Sequence, residues 1–314
     1  MLLNRKAAAD LASADMAPAI EGRSLWADAR IRFFRNKAAV AGLVVLILVA
    51  LFAAFGSHLS AWSNEEVDWS VLGQVETMGK PSLFGGPAGD RPHFFGTDEL
   101  GRDLFARTVQ GTQISLMVGL IGALIAVFVG TIYGATAGYY GGRTDSVMMR
   151  IVDVLMSVPY MFVLILLLVV FGRSVLMLFV GIGLISWLDM ARIARGQTLS
   201  IKNKEFVEAA HAIGVRPSTI IRRHIVPNLL GVVIVYATLL VPSMIIYESF
   251  ISFLGLGVQE PNTSWGALIS QGASQMQYGT LWMLGFPLFF FVITLFAFFF
   301  VGDGLRDALD PKDR

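Results

Sequence analysis

Six apolar runs, most of them near 20 residues long, constrain this chain more than any other feature. They cover residues 38–56, 112–138, 154–172, 174–188, 225–257 and 277–302, and only the fifth contains an ionisable residue, Glu248. About 20 apolar residues in helical form cross the roughly 30 Å hydrocarbon core of a bilayer. Composition agrees: of 314 residues 55% are hydrophobic and 15% charged, with a mean hydropathy of +0.66. A soluble domain needs about 25% charged residues to cover its surface. The expected fold class is therefore an all-α membrane protein with six transmembrane helices. The runs 154–172 and 174–188, separated by Arg173, predict a tight hairpin of two helices.

The first run follows 37 residues of polar chain and is longer than the apolar core of a cleaved signal, about 7–15 residues. It is read as an uncleaved anchor. Lys and Arg set the orientation, because cytoplasmic segments hold the excess of both. With the N-terminus inside, the inner segments hold 19 of these residues and the outer ones 5. Both termini are then cytoplasmic. Residues 1–37 form an inner N-terminal segment and 57–111 an outer loop. The loop 197–228 faces inward within a core of 112–302, and 303–314 is an inner tail. The outer loop carries eight Asp and Glu, yet Trp62, Trp69, Phe84, Phe94 and Phe95 give it the means to pack. Segment 255–282 is read as a re-entrant turn followed by a short helix near Trp265.

Several chemistries are excluded. The net charge of +1 argues against a nucleic-acid binder acting through bulk charge. With no Cys there is no disulfide, cysteine metal site or thiol nucleophile. His58, His93, His211 and His224 are too dispersed for a metal cluster, and the chain has no P-loop with which to hold a nucleotide. No internal repeat is visible, which weighs against a secondary transporter. Gly130, Gly134 and Gly138 fall on one helix stripe and predict close helix packing, or a groove that lines a solute path. Pro159, Pro242 and Pro287 lie inside spans and favour kinks. Arg150, Asp153, Asp189, Arg192 and Arg195 gather at inner helix ends and suggest an ion-pair cluster there.

The most informative segment is QTLSIKNKEFVEAAHAIGVRPSTIIRRHIVPN, residues 197–228. Apolar residues recur at helical spacing between Ser200 and Ile213. Gly214 then provides a helix stop, and Pro217 suits a new first turn. The small residues Ala209 and Ala210 would let another surface approach the helix backbone. On physics alone this is an amphipathic inner hairpin, lying on the bilayer or docking a cytosolic partner.

Glu208-Ala209-Ala210, Gly214 and Pro227 together resemble the E-A-A loop of ATP-binding-cassette (ABC) importer permeases. The family's usual ending Ile-x-Leu-Pro is here His224-Ile225-Val226-Pro227. Further stretches resemble the C-type permeases of the peptide and nickel branch. They are Gly22–Trp26, Phe95-Gly96-Thr97-Asp98, Gly101-Arg102-Asp103, Ser186–Arg192, Ser252–Gly257 and Gly302–Asp307. The resemblance runs from about residue 22 to the end. It implies a type I importer permease fold with a cytoplasmic coupling helix, in a bacterial inner membrane. It also implies an oligopeptide importer, with dipeptide, nickel or another solute as alternatives on the same scaffold.

The partners implied are a homologous second permease, two cytosolic ATPase subunits, an extracytoplasmic peptide-binding protein and membrane lipid. ATP and Mg would be held by the ATPases, so this chain carries no cofactor and is no enzyme. Residues implied in coupling are Glu205, Phe206, Glu208, Ala209, Ala210, Gly214, Arg216 and Pro227. Glu248 falls near the outer end of the fifth span by helix length. There it either attracts a peptide's ammonium group in the solute path or pairs with a neighbouring helix.

Overall fold

The computed structural model describes residues 25–83 and 91–309. The motif residues Gly22, Arg23 and Ser24, the aromatic Phe84 and the tail residues 310–314 lie outside the described residues. The structure is helical, and among the described residues only two isolated β-bridges occur, Val67 with Arg102 and Thr97 with Asp103. In chain order the helices are α1 (Leu25–Arg35), α2 (Lys37–Phe55), α3 (Leu104–Tyr140), α4 (Gly142–Ser157), α5 (Tyr160–Phe171) and α6 (Val175–Ile201). They continue with α7 (Glu205–Ala212), α8 (Pro217–Phe253), α9 (Trp265–Ser274) and α10 (Leu281–Leu309). Helices α2, α3, α6, α8 and α10 are each long and apolar enough to cross a membrane.

The third run departs from a simple span. It breaks between α4 and α5, which meet at 79°. Proline disfavours helical geometry in the residue before it, and Val158 is extended, with φ −86° and ψ 128°. Pro159 therefore ends one helix and starts the next instead of kinking a continuous one. The α5–α6 hairpin forms as read, with Gly172 at φ +97° and the Ser174 side chain accepting from the Met177 N–H.

Three other helices outrun their apolar stretches. Helix α3 begins at Leu104, within the segment read as outer loop, because Asp103 caps it by accepting from Ala106 N–H at 2.8 Å. Helix α6 continues past Asp189, Arg192 and Arg195 to Ile201, and α10 carries the Gly302–Asp307 motif in its last turns. The described part of the inner tail is thus helix.

The glycine stripe of α3 faces α6. A Cβ on Gly130 would lie 2.6 Å from the Trp187 carbonyl, and one on Gly138 would lie 2.9 Å from the Arg195 carbonyl. One on Gly134 would collide with the Ala191 carbonyl. The stripe therefore serves close packing, the backbone-to-backbone contact that small residues permit in hydrocarbon. The central core gathers Val118, Ala126, Leu164, Ile182, Met244 and Trp265, and a second cluster joins Met190, Ala194, Ile201, Val207, Ala210, Ile220 and Leu229. Large apolar side chains such as Leu124, Phe128, Phe162 and Phe171 face outward, as lipid or a partner helix requires.

Gly134→Val is expected to destabilise the purified protein by about 1–3 kcal/mol through overpacking. Gly231→Ala, where a Cβ meets nothing within 4 Å, is expected to be neutral or slightly stabilising, as for alanine in a helix interior. Thermal unfolding in detergent checks the pair. Equal melting temperatures for both variants would contradict the packing assignment.

Candidate functional site

The connection between α6 and α8 holds most of the residues singled out for coupling. The short helix there is Glu205–Ala212, not the longer Ser200–Ile213 that periodicity suggests. Ser200 and Ile201 complete α6, and a turn precedes α7. Val207 and Ala210 are buried in the cluster with Ile201, Ile220, Ile225 and Leu229. Glu205, Phe206, Glu208 and Ala209 face out, as do Ile213, Gly214 and Arg216. The expected Ala209–Ala210 patch is therefore split. Ala209 is available to a partner, whereas Ala210 packs inward beside Val207, which sequence reasoning had not singled out. Phe206 and Ile213 are 41% and 80% exposed, an apolar surface that none of the described residues covers.

Gly214 ends α7 as its position suggests. Its φ is +79°. Val215 N–H donates to the Ala210 carbonyl at 3.1 Å and Gly214 N–H to that of His211 at 3.0 Å. These are the two bonds of a Schellman stop, and Val215 and Ala210 supply its apolar contact. Pro217 opens α8, which contains a π-turn over Ile221–Ile225. Exposed Pro227 follows directly, and the Asn228 side-chain amide donates to the His224 carbonyl at 2.6 Å. The widened turn lies where a proline removes a backbone donor from the helix ladder.

Ion pairs tie α4 to α6 close by. Arg195 forks onto Asp145 with both contacts at 2.6 Å, and Arg192 meets Asp153 at 2.6 Å. Asp145 was missed in the sequence, since its partner lies 50 residues away. Arg150 and Asp189, expected in this cluster, make no ion pair among the described residues.

At the other end of the bundle the loop between α2 and α3 is locked by charge. Arg102 donates to Asp98 at 2.7 Å and forks onto Glu260 with two contacts of 2.9 Å. Buried Arg107 reaches Asp98 at 3.3 Å, Glu260 at 3.4 Å and Gln271 at 3.2 Å. His93 lies between Asp103 at 2.8 Å and Asp68 at 3.3 Å, with Trp62 stacked on its ring. Phe95 stacks on Phe286 and Phe94 meets Phe105 edge-on, as packing aromatics would, while Trp69 is exposed. Burial would push the His93 imidazole down, but the flanking Asp103 and Asp68 outweigh it and hold the group above its ordinary value. Burial would raise the Asp68 carboxyl, but Ser70 and His93 together hold it low. The Arg102 fork brings Glu260 down to about 2. Among the described residues no three of His, Asp and Glu gather to hold a metal ion.

Glu248 lies near the C-terminal end of α8, far along the helix from Asn228, and it is fully enclosed. It accepts from Ser252 at 2.6 Å, Ser115 at 3.0 Å and Ser249 at 3.4 Å. Ser115 in turn accepts from the Trp265 N–H at 3.1 Å, and the Trp265 indole donates to Thr112 at 3.1 Å. The carboxylate thus pins α3, α8 and the start of α9 together. Helix α9 itself is the short helix expected near Trp265, capped by Ser264.

The family model described as "Binding-protein-dependent transport system inner membrane component" matches residues 126–314. A second, "N-terminal TM domain of oligopeptide transport permease C", matches residues 24–72. The chain is 55% identical over 314 residues to the oligopeptide transport system permease protein OppC of Escherichia coli strain K12, covering all of both chains. It is 55% identical to the protein of the same description in Haemophilus influenzae, over 94% of this chain and 91% of the relative. To the dipeptide transport system permease protein DppC of Bacillus subtilis it is 46% identical, over 91% of this chain and 86% of the relative. Among solved structures, an inward-facing MetNI methionine ABC transporter shares the fold. The TM-score is 0.51 at 18% identity, over 64% of this chain and 95% of that one.

The outer lock has a pH window. His93 has a raised pKa, so its contribution is complete below the ordinary histidine value and is lost as pH rises through the raised one. Asp68 and Glu260 have depressed pKa values, so theirs is present above the ordinary carboxylate value and lost as pH falls. Amide exchange across 91–103, corrected for intrinsic exchange chemistry, is expected to be slow near pH 6 and faster near pH 9. His93→Gln is expected to flatten that dependence. Unchanged protection across this range in the native chain would refute the lock.

Proposed function

The chain belongs to the family of binding-protein-dependent transport system inner membrane components and is a multi-pass permease subunit of an ABC importer; on that premise we propose that its solute is an oligopeptide and that α7 receives the drive for transport. The observation that carries the second part is the two-faced build of α7. Val207 and Ala210 fix it to the bundle, while Phe206, Ala209 and Ile213 present an apolar surface next to a rigid glycine stop. An apolar patch on a water-facing connection marks a protein contact.

The proposed partner at that face is a cytosolic ATPase subunit, one of two that hold ATP and Mg. Glu205, Glu208 and Arg216 form the charged rim, and Gly214 and Pro227 set the angles by which α7 meets α8. A homologous second permease completes the path through the membrane. The orientation rests on the 19 to 5 division of Lys and Arg, which supports cytoplasmic termini. Segments 57–111 and 255–282 then face outward and receive the peptide-binding protein. Glu248 is read as an anchor for the α8–α9 turn and not as a path residue, since its acceptor positions are taken by hydroxyls. A dipeptide is the second reading of the solute, favoured by the likeness to a dipeptide permease.

Gly214→Val and Ala209→Trp test the drive. A side chain at Gly214 meets nothing within 4 Å, so the substitution acts through a left-handed backbone that costs about 1–2 kcal/mol for other residues. Both variants are expected to insert normally and to lose peptide import about tenfold or more, because each displaces the partner surface. ATP-driven uptake of tri-alanine in proteoliposomes, with co-purification of the ATPases, measures this. Normal import by both variants would remove α7 from the coupling path.

Photocrosslinkers at Gln259 and Asn262, both exposed, are expected to capture the peptide-binding protein during turnover. Capture of cytosolic subunits instead would reverse the orientation.

A further inference from the structure

Among the described residues, the acids of α4, α6, α8 and α10 divide into groups with clear structural work and one without. Asp145 and Asp153 are held by Arg195 and Arg192, and Glu248 by serines. Asp303 and Asp307 sit in the last turns of α10. Asp189 remains. It lies near the middle of α6, is exposed on the surface of this chain, and has no ion pair among the described residues.

Asp189 opens onto a cavity of about 340 Å³ between α6 and α8. Met190 and Ile193 line it from α6, and Tyr236, Leu240 and Ser243 from α8. The wall is aliphatic, with a carboxylate and two hydroxyl-bearing residues set into it. That is the composition of a ligand pocket with a few orienting polar groups. Further along the same two helices lie Ser186, one turn before Asp189–Met190, and Tyr247, one turn beyond Ser243. Tyr160, at the start of α5, packs against Tyr247 with ring centroids 4.4 Å apart. The Ser186 and Tyr160 hydroxyls adjoin without closing a hydrogen bond of normal geometry. Tyr236, Asp189 and Ser243 thus set polar groups into an otherwise apolar wall, with the buried Ser186 and Tyr160 hydroxyls outside that lining.

We propose that Asp189 is a solute-binding residue, holding the free ammonium group of a peptide as it passes through the groove between α6 and α8. This rests on the oligopeptide reading given above. A carboxylate at the end of an apolar run and facing a groove needs a counter-charge or water, and an ammonium group supplies the charge without a fixed partner. A cation on the second permease would satisfy the carboxylate equally well, but it would leave the groove beside Asp189, with Tyr236 and Ser243 in its wall, without an occupant. A passing solute fills that groove, and the apolar wall accommodates its side chains.

The chain has no Cys, so Ser243→Cys introduces a single thiol into the groove, and labelling is read on this chain within the assembled complex. A cationic methanethiosulfonate is expected to react about tenfold faster than an anionic one, the preference a nearby unpaired carboxylate confers in a low-dielectric groove. The preference is expected to vanish when Asp189→Asn is added, and tri-alanine under turnover is expected to slow labelling. Asp189→Asn alone is expected to raise the KM for tri-alanine import about tenfold, the loss of one charge-assisted contact. Assembly and basal ATPase rate stay unchanged, and Asp189→Glu restores most of the import. Equal labelling by both reagents overturns the proposal. Loss of the second permease from the Asp189→Asn complex also overturns it, since that outcome makes Asp189 a subunit contact. Charge-selective labelling of the Ser243→Cys complex, together with no tri-alanine import by the native complex, overturns the oligopeptide reading while keeping Asp189 as the site for a cationic solute.

Discussion

The contact of α3 with α6 is made backbone against backbone, and the rest of the molecule is organised around it. Lipid chains are as apolar as leucine, so helices in a bilayer do not associate by hiding apolar surface from water. They associate where their surfaces fit closely. Gly130, Gly134 and Gly138 remove three side chains from one stripe, and Trp187, Met190, Ala191, Ala194 and Thr198 fill the space. Each helix then carries this rigidity to both ends. The outer end of α3 bears the Asp103 cap and buried Arg107, and the inner end of α6 bears Arg192 and Arg195. The charge lock at one end and the α4–α6 ion pairs at the other are therefore fixed to one frame.

Several polar groups within this frame are satisfied locally, as the hydrocarbon environment favours. Thr108, Thr112 and Thr198 each donate to the carbonyl one turn back at 2.7 Å. Glu248 gathers three serine hydroxyls, and a network of this kind is stabilising only when all its members are paired. Gly257 and Gly266 belong to the same arrangement. A Cβ on either would collide with Ser252 or Ser249, so the chain after α8 comes close enough for Val258 N–H to reach the Ser252 hydroxyl at 3.3 Å. Within the Ser252–Gly257 motif, Gly257 is thereby explained by the fit around a buried carboxylate, and Gly255 by its backbone φ of +73°.

The spans were legible in the sequence because uncharged length is a strong signal, and the glycine stripe was legible because its four-residue spacing matches one helix face. Helix ends were less so. An apolar run stops at the first charge, whereas a helix stops where its backbone is capped. Thus α6 passes through Asp189 and two arginines, and α3 starts at the Asp103 cap. The break at Pro159 was read as a kink, since a proline inside an apolar run does not reveal whether its neighbours hold the helix together. Long-range polar partners such as Asp145 with Arg195, or Arg107 with Glu260, leave no periodic trace. Glu248 was placed correctly along its helix, but length alone did not show that three serines from two helices enclose it.

In the proposed coupling role, the α7 hairpin would pass a partner's push into this frame through a short connection. Helix α7 is too short to be stable alone, so its position is set by Val207 and Ala210 in the cluster that also holds Ile220, Ile225 and Leu229 of α8. Its far end is fixed by two backbone bonds around Gly214, leaving only Val215 and Arg216 before Pro217 starts α8. A connection that short has little slack, so displacement of α7 must move the base of α8 with it. Helix α8 then runs without a break to Phe253, past the groove at Asp189 and the anchor at Glu248, to the segment that bears Glu260. The π-turn at Ile221–Ile225 is the one wide turn in that path. It sits at the base, where a change of angle would be largest at the far end of the helix.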